Sequence, residues 1–272
     1  MLSQHMELDE ITPHKSLVYA WDGVIVYVTQ DHLNKAHAHF PALLQIGLGT
    51  AFTLVVEDQP ANYHEVVVMA PNISHSTDSQ NQPYIAILID PDHVLYAYLH
   101  PLLNGQTFNS LSADRLQSFQ KQFQQLMTAQ LCLEQVKQLL KDVLLALNPQ
   151  PLLVLPWDQR IQLACEYIKR CIPHQIPTIA DVALQVGRLS ESRLMHLFSQ
   201  QLGLSMRQYI LWLRIRYAIK LWMQGKTLIE IAVESGFSDQ AHFTRTLRRM
   251  VDFAPSMLKA NTIFISDDAT EK

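Results

Sequence analysis

His37 and His39 stand two residues apart in the first half of this 272-residue chain, and His75 follows farther on. On a β-strand, residues i and i+2 face the same side, so the first two imidazoles point together. With a third from a neighbouring strand they have the donor set for a divalent metal. They equally suit a small-molecule pocket, in which the imidazole nitrogens and the Gln45 amide donate and accept hydrogen bonds. The plainest alternative has them serving strand ends and loops. The chain has no Gly-rich phosphate loop, nucleophile elbow or zinc-finger spacing.

These side chains need β-structure to position them. Ser16–Trp21, Gly23–Thr29, Ala42–Leu48, Ala51–Val56, His64–Ala70 and Tyr84–Ile89 are short runs rich in Val, Ile, Leu, Tyr and Thr. Breakers such as Asp22-Gly23, Asp58-Gln59-Pro60 and Pro71-Asn72 lie between them. Many short strands at this spacing predict a sandwich or barrel. Two amphipathic helices follow, with stripes of Leu116, Phe119, Phe123 and Leu126, then Leu133, Val136, Leu140, Val143 and Leu147. The stripes either cover the barrel or join two copies of the chain; the expectation here is a dimer contact.

The second half repeats itself. Thr178 to Phe198 and Thr227 to Leu247 align without a gap at an offset of 49 residues (227 − 178), pairing Asp181 with Glu230, Ala183 with Ala232 and Gly187 with Gly236. Each copy opens with a capping box, Thr followed three residues later by Asp or Glu. Apolar residues at helical spacing come next, then a Gly that permits a left-handed turn. Ser190 or Asp239 caps the second helix. Two helix-turn-helix units in one register favour duplex DNA over an ordinary helical core. Ser205 to Gln224 reads as the connecting helix, about 27 Å long from Met206 to Met223 at 1.5 Å per residue. Successive major-groove faces lie about 34 Å apart, so such a helix can hold two reading heads on one duplex.

Charge agrees. Residues 157–260 carry 14 Lys and Arg against 8 Asp and Glu, whereas residues 1–156 carry 6 against 14, within a net charge of −4. A phosphate backbone attracts the first region and repels the second. Three prolines between Asn148 and Pro156 mark a linker.

Residues 158–260 resemble the DNA-binding domain of the AraC/XylS family of bacterial regulators. The stretches that carry this are Leu189 to Gly203, Arg214 to Ala218 and Ile231 to Arg249. Leu247, Asp252 and Leu258 depart from the family's usual Phe, Gly and aromatic residue. By position, the resemblance implies that Ser192, Arg193, Met195 and His196 face DNA from the first recognition helix. Gln240, His242, Thr244 and Arg245 do so from the second, with Arg249 beside them. Arg245 suits guanine, Gln240 adenine and Met195 a thymine methyl. Arg248, Arg249, Arg214 and Arg216 fit phosphate or structural contacts. The first half, with His37-x-His39, Gln45, Gly49 and Pro71-x-x-x-His75, is similar to the cupin-like sensor domain of many such regulators. Metal-binding cupins generally add a Glu after the His pair, where this chain offers only Gln45, and the second motif lacks its usual Gly. The expectation is therefore a small-molecule pocket of His37, His39, Gln45 and His75, without metal or cofactor.

The resulting picture is an α+β chain of two domains: a cupin-like barrel (1–110), a helical dimerisation segment (111–148), a linker (149–157), a double helix-turn-helix domain (158–260) and a disordered tail (261–272). It implies a non-enzymatic, cytoplasmic, homodimeric transcription regulator that binds double-stranded DNA and a small effector, and that contacts RNA polymerase if it activates. The competing readings are a metal-dependent cupin enzyme fused to a DNA-binding domain, and a regulator whose barrel only mediates association. Cys132, Cys165 and Cys171, an odd number on predicted helices, suit a reducing compartment. No apolar stretch reaches membrane-spanning length. The acidic arm of residues 1–14 and the linker are the expected moving parts.

Overall fold

The β-branched runs become strands where the sequence places them. This computed structural model describes residues 16–151, 157–172, 174–187, 189–251 and 262–266. The amino-terminal arm, the centre of the linker, Asp252 and Leu258 lie outside the described residues. Its first ten strands are β1 (Ser16–Trp21), β2 (Val24–Thr29), β3 (His37–Ala38), β4 (Ala42–Gly47), β5 (Phe52–Val56), β6 (Asn62–His64), β7 (Val66–Met69), β8 (Ser74–Asp78), β9 (Tyr84–Ile89) and β10 (Phe108–Leu111). One sheet has the order β10-β7-β4-β9-β2-β1, and a second the order β3-β8-β5-β6.

Period-two alternation splits the larger sheet's side chains between two cores. Leu43, Val67, Met69, Tyr84, Ala86 and Leu88 face inward and pack with Phe52, Leu54 and Val56 of the smaller sheet. Ala42, Leu44, Ile46, Val66, Val68, Ile85, Ile87 and Ile89 face the other way. Burial on both faces explains why β9 is a continuous apolar run rather than an alternating one. Helices α1 (Tyr96–Leu99), α2 (Gln120–Met127) and α3 (Leu133–Leu147) cover that outer face. Leu116, Phe123, Leu126, Val136, Leu140, Val143 and Leu147 are buried there within the same chain. Within one chain these stripes thus serve as cover for the sheet, while Phe119 and Leu133 of the same stripes are only partly buried. The sheet's outer face is as apolar as its inner one and needs the cover itself.

The carboxyl-terminal helices are α4 (Gln159–Cys171), α5 (Ile179–Gln185), α6 (Glu191–Leu202), α7 (Met206–Met223), α8 (Leu228–Glu234) and α9 (Gln240–Val251). Both predicted capping boxes form: Thr178 with Asp181 and Thr227 with Glu230. Ser205 and Gln208 make a third at the start of α7. Gly187 and Gly236 take φ of 96° and 78°, the left-handed backbone that turns each hairpin. Leu194, Phe198, Phe243 and Leu247 are buried as expected, while Leu197 is only partly so.

A correction concerns the tail. Thr262–Ser266 form β11, which pairs in parallel with β1 and extends the larger sheet to seven strands. The edge of β1 otherwise carries unpaired backbone groups, and the T-I-F-I-S run suits a strand. The polar, acidic residues after Ser266 masked that signal in the sequence.

Candidate nucleic-acid interface and histidine cluster

On α6, the caps and buried residues fix which face looks outward. Ser190 accepts a hydrogen bond from the Arg193 backbone N–H, and Leu194 and Phe198 point into the core. Ser192, Arg193, Met195 and His196 are consequently exposed together. On α9, Phe243, Leu247 and Met250 are buried, leaving Gln240, Arg245, Arg248 and Arg249 exposed. His242 and Thr244 are half-buried. The His242 backbone N–H donates to Asp239 Oδ1 at 2.7 Å, and its Nδ1 lies 3.1 Å from Ser238 Oγ. Its ring meets Phe237 edge-on, so His242 helps build the start of α9 as well as bordering its outer face.

Arg214 and Arg216 both make structural contacts within the chain. Arg214 Nε donates to the Ser235 carbonyl at 2.9 Å and its Nη2 to the Gly236 carbonyl, with the guanidinium 4.2 Å above the Phe237 ring. It clamps the turn between α8 and α9. Arg216 crosses to the barrel, where its Nη1 donates to Asp90 Oδ2 at 2.6 Å and its Nη2 to Asp22 Oδ1 at 2.9 Å. Trp212 Nε1 donates to the other Asp90 oxygen at 2.9 Å. Asp92 accepts from the Tyr209 hydroxyl at 2.8 Å and pairs with Lys169 at 2.6 Å. Burial pushes the Asp90 carboxyl up to about 6, against the pull of Arg216. Phe40 of the barrel completes the joint, with its ring against Tyr209 and Trp212 in the helical core.

Sequence reasoning missed this joint. Asp90-Pro91-Asp92 follows a strand as ordinary turn residues would, and nothing local links it to Lys169 or Arg216. A cavity of about 530 Å³ opens beside it, lined by Trp21, Ile25, Leu213 and Tyr217 with Asp22, Lys169 and Arg216 at its wall.

The barrel does bring the three histidines together. His37 sits directly opposite His75 across the β3–β8 pair, and His39 follows on the same side. Their ring centroids lie 4.3, 4.9 and 5.4 Å apart. Each Nδ1 meets a backbone carbonyl: His37 that of Lys35 at 2.7 Å, His75 that of Ile73 at 3.0 Å and His39 that of Met250 at 2.9 Å. The last contact crosses to α9. Burial, then the neighbouring imidazoles, hold His39 well below the ordinary histidine value. Burial takes His75 down to about 4.

Gln45 lies on the inner face of β4, where its Nε2 donates to Thr77 Oγ1 at 2.9 Å. Thr77 is two residues beyond His75 on the buried face of β8. Gln45 Oε1, the Tyr84 hydroxyl and His75 Nε2 are buried without a hydrogen-bond partner. Burial also raises the Tyr84 phenol far above its usual value. His32 stacks on the Tyr84 ring at 4.9 Å, and burial pushes it down to about 4.

A helix-turn-helix domain family matches residues 185–261. The arabinose operon regulatory protein of Escherichia coli is 36% identical over 106 residues, covering 39% of this chain and 36% of that protein. An uncharacterized HTH-type transcriptional regulator of Staphylococcus aureus is 27% identical over 112 residues, covering 41% of this chain and 15% of that protein. The chain thus spans about a third or less of the length of these curated relatives. Among solved structures, apo ToxT of Vibrio cholerae superposes with a TM-score of 0.59 at 14% identity, covering 86% of this chain and 96% of ToxT. ToxT bound to an unsaturated fatty acid superposes with a TM-score of 0.56 at 16% identity, covering 86% of this chain and 93% of ToxT. At such identities the likeness speaks to the two-domain fold.

Proposed function

We propose that this chain belongs to the AraC/XylS family and is a sequence-specific DNA-binding regulator of transcription that responds to a small ligand in its amino-terminal domain. The observation that carries the reading is the pair of exposed faces on α6 and α9, which project from matched hairpins braced by α7. Arg193 and His196 on one, and Gln240, Arg245 and Arg249 on the other, are the side chains for base and phosphate contact, with Ser192, Met195, His242 and Thr244 bordering them. Double-stranded DNA is the partner. Arg245→Ala should weaken binding to a duplex recovered by mapping bound genomic sites by roughly 5- to 150-fold, the loss of one bidentate base contact. Unchanged affinity in a gel-shift titration refutes the assignment.

Sensing is supported by the orphaned polar atoms inside the barrel and by the tie between barrel and α9. The reading includes no enzymatic step. A ligand acts here only by binding differently to two arrangements of the domains. A fatty acid is bound in a ToxT structure; the cavity lined by Trp21, Ile25, Leu213 and Tyr217 supports a second site for a largely apolar ligand. A homodimer working in the cytoplasm completes the proposal. Ile229 and Val233, one turn apart on α8 and each 67% exposed, suit a protein partner such as RNA polymerase.

A further inference from the structure

The histidine trio shows an imbalance of donors and acceptors. A carbonyl only accepts, so each Nδ1 that meets one carries the proton and donates. In a neutral imidazole this leaves Nε2 as a bare lone pair. His37 Nε2 and His39 Nε2 nevertheless face each other at 2.8 Å, where two lone pairs repel. His75 Nε2 is buried with no partner at all, on a residue only 2% exposed. One ligating nitrogen from each ring falls within 4.8 Å of the other two. Three converging lone pairs, with all three tautomers fixed from behind by carbonyls, call for an electron-pair acceptor at their centre.

We propose that His37, His39 and His75 bind a divalent first-row transition cation such as zinc, and that the cation fastens the barrel to the end of α9. The geometry fits. Zinc–nitrogen bonds of about 2.0–2.1 Å at tetrahedral angles set ligand nitrogens about 3.3 Å apart, inside the range the cluster spans. Three imidazoles suit zinc, nickel, cobalt or ferrous iron, and not calcium or magnesium, which take oxygen ligands. Carbonyls behind the rings are the usual outer shell of metal-bound histidines. The carboxylate whose absence in the sequence argued against a metal is not needed for three ligands with the fourth position open.

The Met250 carbonyl makes this site more than a barrel feature. It belongs to the last described turn of α9, on the carboxyl-terminal side where the macrodipole is negative. A cation on His39 Nε2 polarises the ring, strengthens the Nδ1–H bond to Met250 and places positive charge near that helix end. The ion thus acts on the second recognition helix through one imidazole. This inference deepens the sensing half of the proposed function by naming a ligand class, and rests on that reading only for its consequence in DNA recognition.

The test uses the full chain, stripped with a chelator and titrated with Co(II), then competed with Zn(II). One ion per chain should bind, with the visible absorption of nitrogen-ligated Co(II). His75→Ala should weaken binding by roughly a hundredfold or more, beyond the effect typical of outer-shell changes. Because His75 is buried, His39→Gln at the domain joint provides a second variant, and circular dichroism confirms that each is folded. Hydrogen exchange should show the last turn of α9 better protected with Zn(II) in the wild type but not in His39→Gln. Sub-stoichiometric binding by the wild type, or binding unaffected in either folded variant, overturns the metal site. Unchanged α9 protection overturns the coupling. Duplex binding by stripped protein is measured alongside: its absence counts against the regulator reading and leaves the metal titration standing, whereas its presence with no ion retained counts against the inference alone.

Discussion

Asp90→Asn probes the joint that holds the two domains together. The wild-type carboxylate lies 1% exposed between Trp212 Nε1 and Arg216 Nη1. Asparagine can keep an oxygen toward the indole N–H, which spares the roughly 1–3 kcal/mol of an orphaned buried donor. It then turns an NH₂ group toward the guanidinium. Arg216, with 19% of its side chain exposed, is left with Asp22, whose side chain is 78% exposed and weakly attractive through water. Removing one partner of a buried pair costs about 3–5 kcal/mol. Asp22→Asn, by contrast, should cost less than about 1 kcal/mol. Urea unfolding followed by tryptophan fluorescence measures both, since Trp212 sits in the joint. A loss below about 1 kcal/mol for Asp90→Asn, or equal losses for the two variants, refutes the view that this ion pair couples the domains.

Three further outcomes follow from the same geometry. Gly236 and Gly187 both have positive φ, but a Cβ on Gly236 would meet Ile176 Cδ1 at 2.7 Å while one on Gly187 meets nothing within 4 Å. Each Ala variant should lose about 1–2 kcal/mol through backbone strain, with Gly236→Ala the less stable; the reverse ranking in thermal melts contradicts the turn assignments. His32 titrates near 4 when folded and near 6.5 when unfolded, so the unfolded chain binds its proton first as pH falls. Stability should drop between pH 6.5 and 4 by about 3 kcal/mol from this group. Urea midpoints across that range should fall less steeply in His32→Gln, and an unchanged slope defeats the assignment. Finally, Arg214→Lys should lose the stacked, forked contact to the α8–α9 turn and destabilise α9, seen as faster hydrogen exchange there; unaltered exchange rules out the clamp.

The sequence disclosed what local physics dictates. Capping residues, the turn glycines and the 49-residue register set both helix-turn-helix units, and alternation set the strands. His37 and His39 shared a side as their spacing required, and His75 came opposite them. Contacts between distant segments were not legible. The fate of the α2 and α3 stripes depended on how apolar the sheet's outer face was, and the partners of Asp90 and Asp92 lie some 77 to 126 residues away. The Met250 carbonyl behind His39 is a backbone atom, so no residue type announced it. Leaving His75 Nε2 unpartnered is likewise a property of packing rather than of composition.

The central claim is that α6 and α9 dock side by side on a duplex. Fluorescence anisotropy of the full chain with a bound genomic fragment, across a salt series, tests it most directly. Log affinity should fall linearly with log salt at a slope of about −4 or steeper, as for roughly five neutralised phosphates. It should also drop at fixed salt in Arg245→Ala. A flat salt dependence, or no attraction to any duplex, contradicts the account.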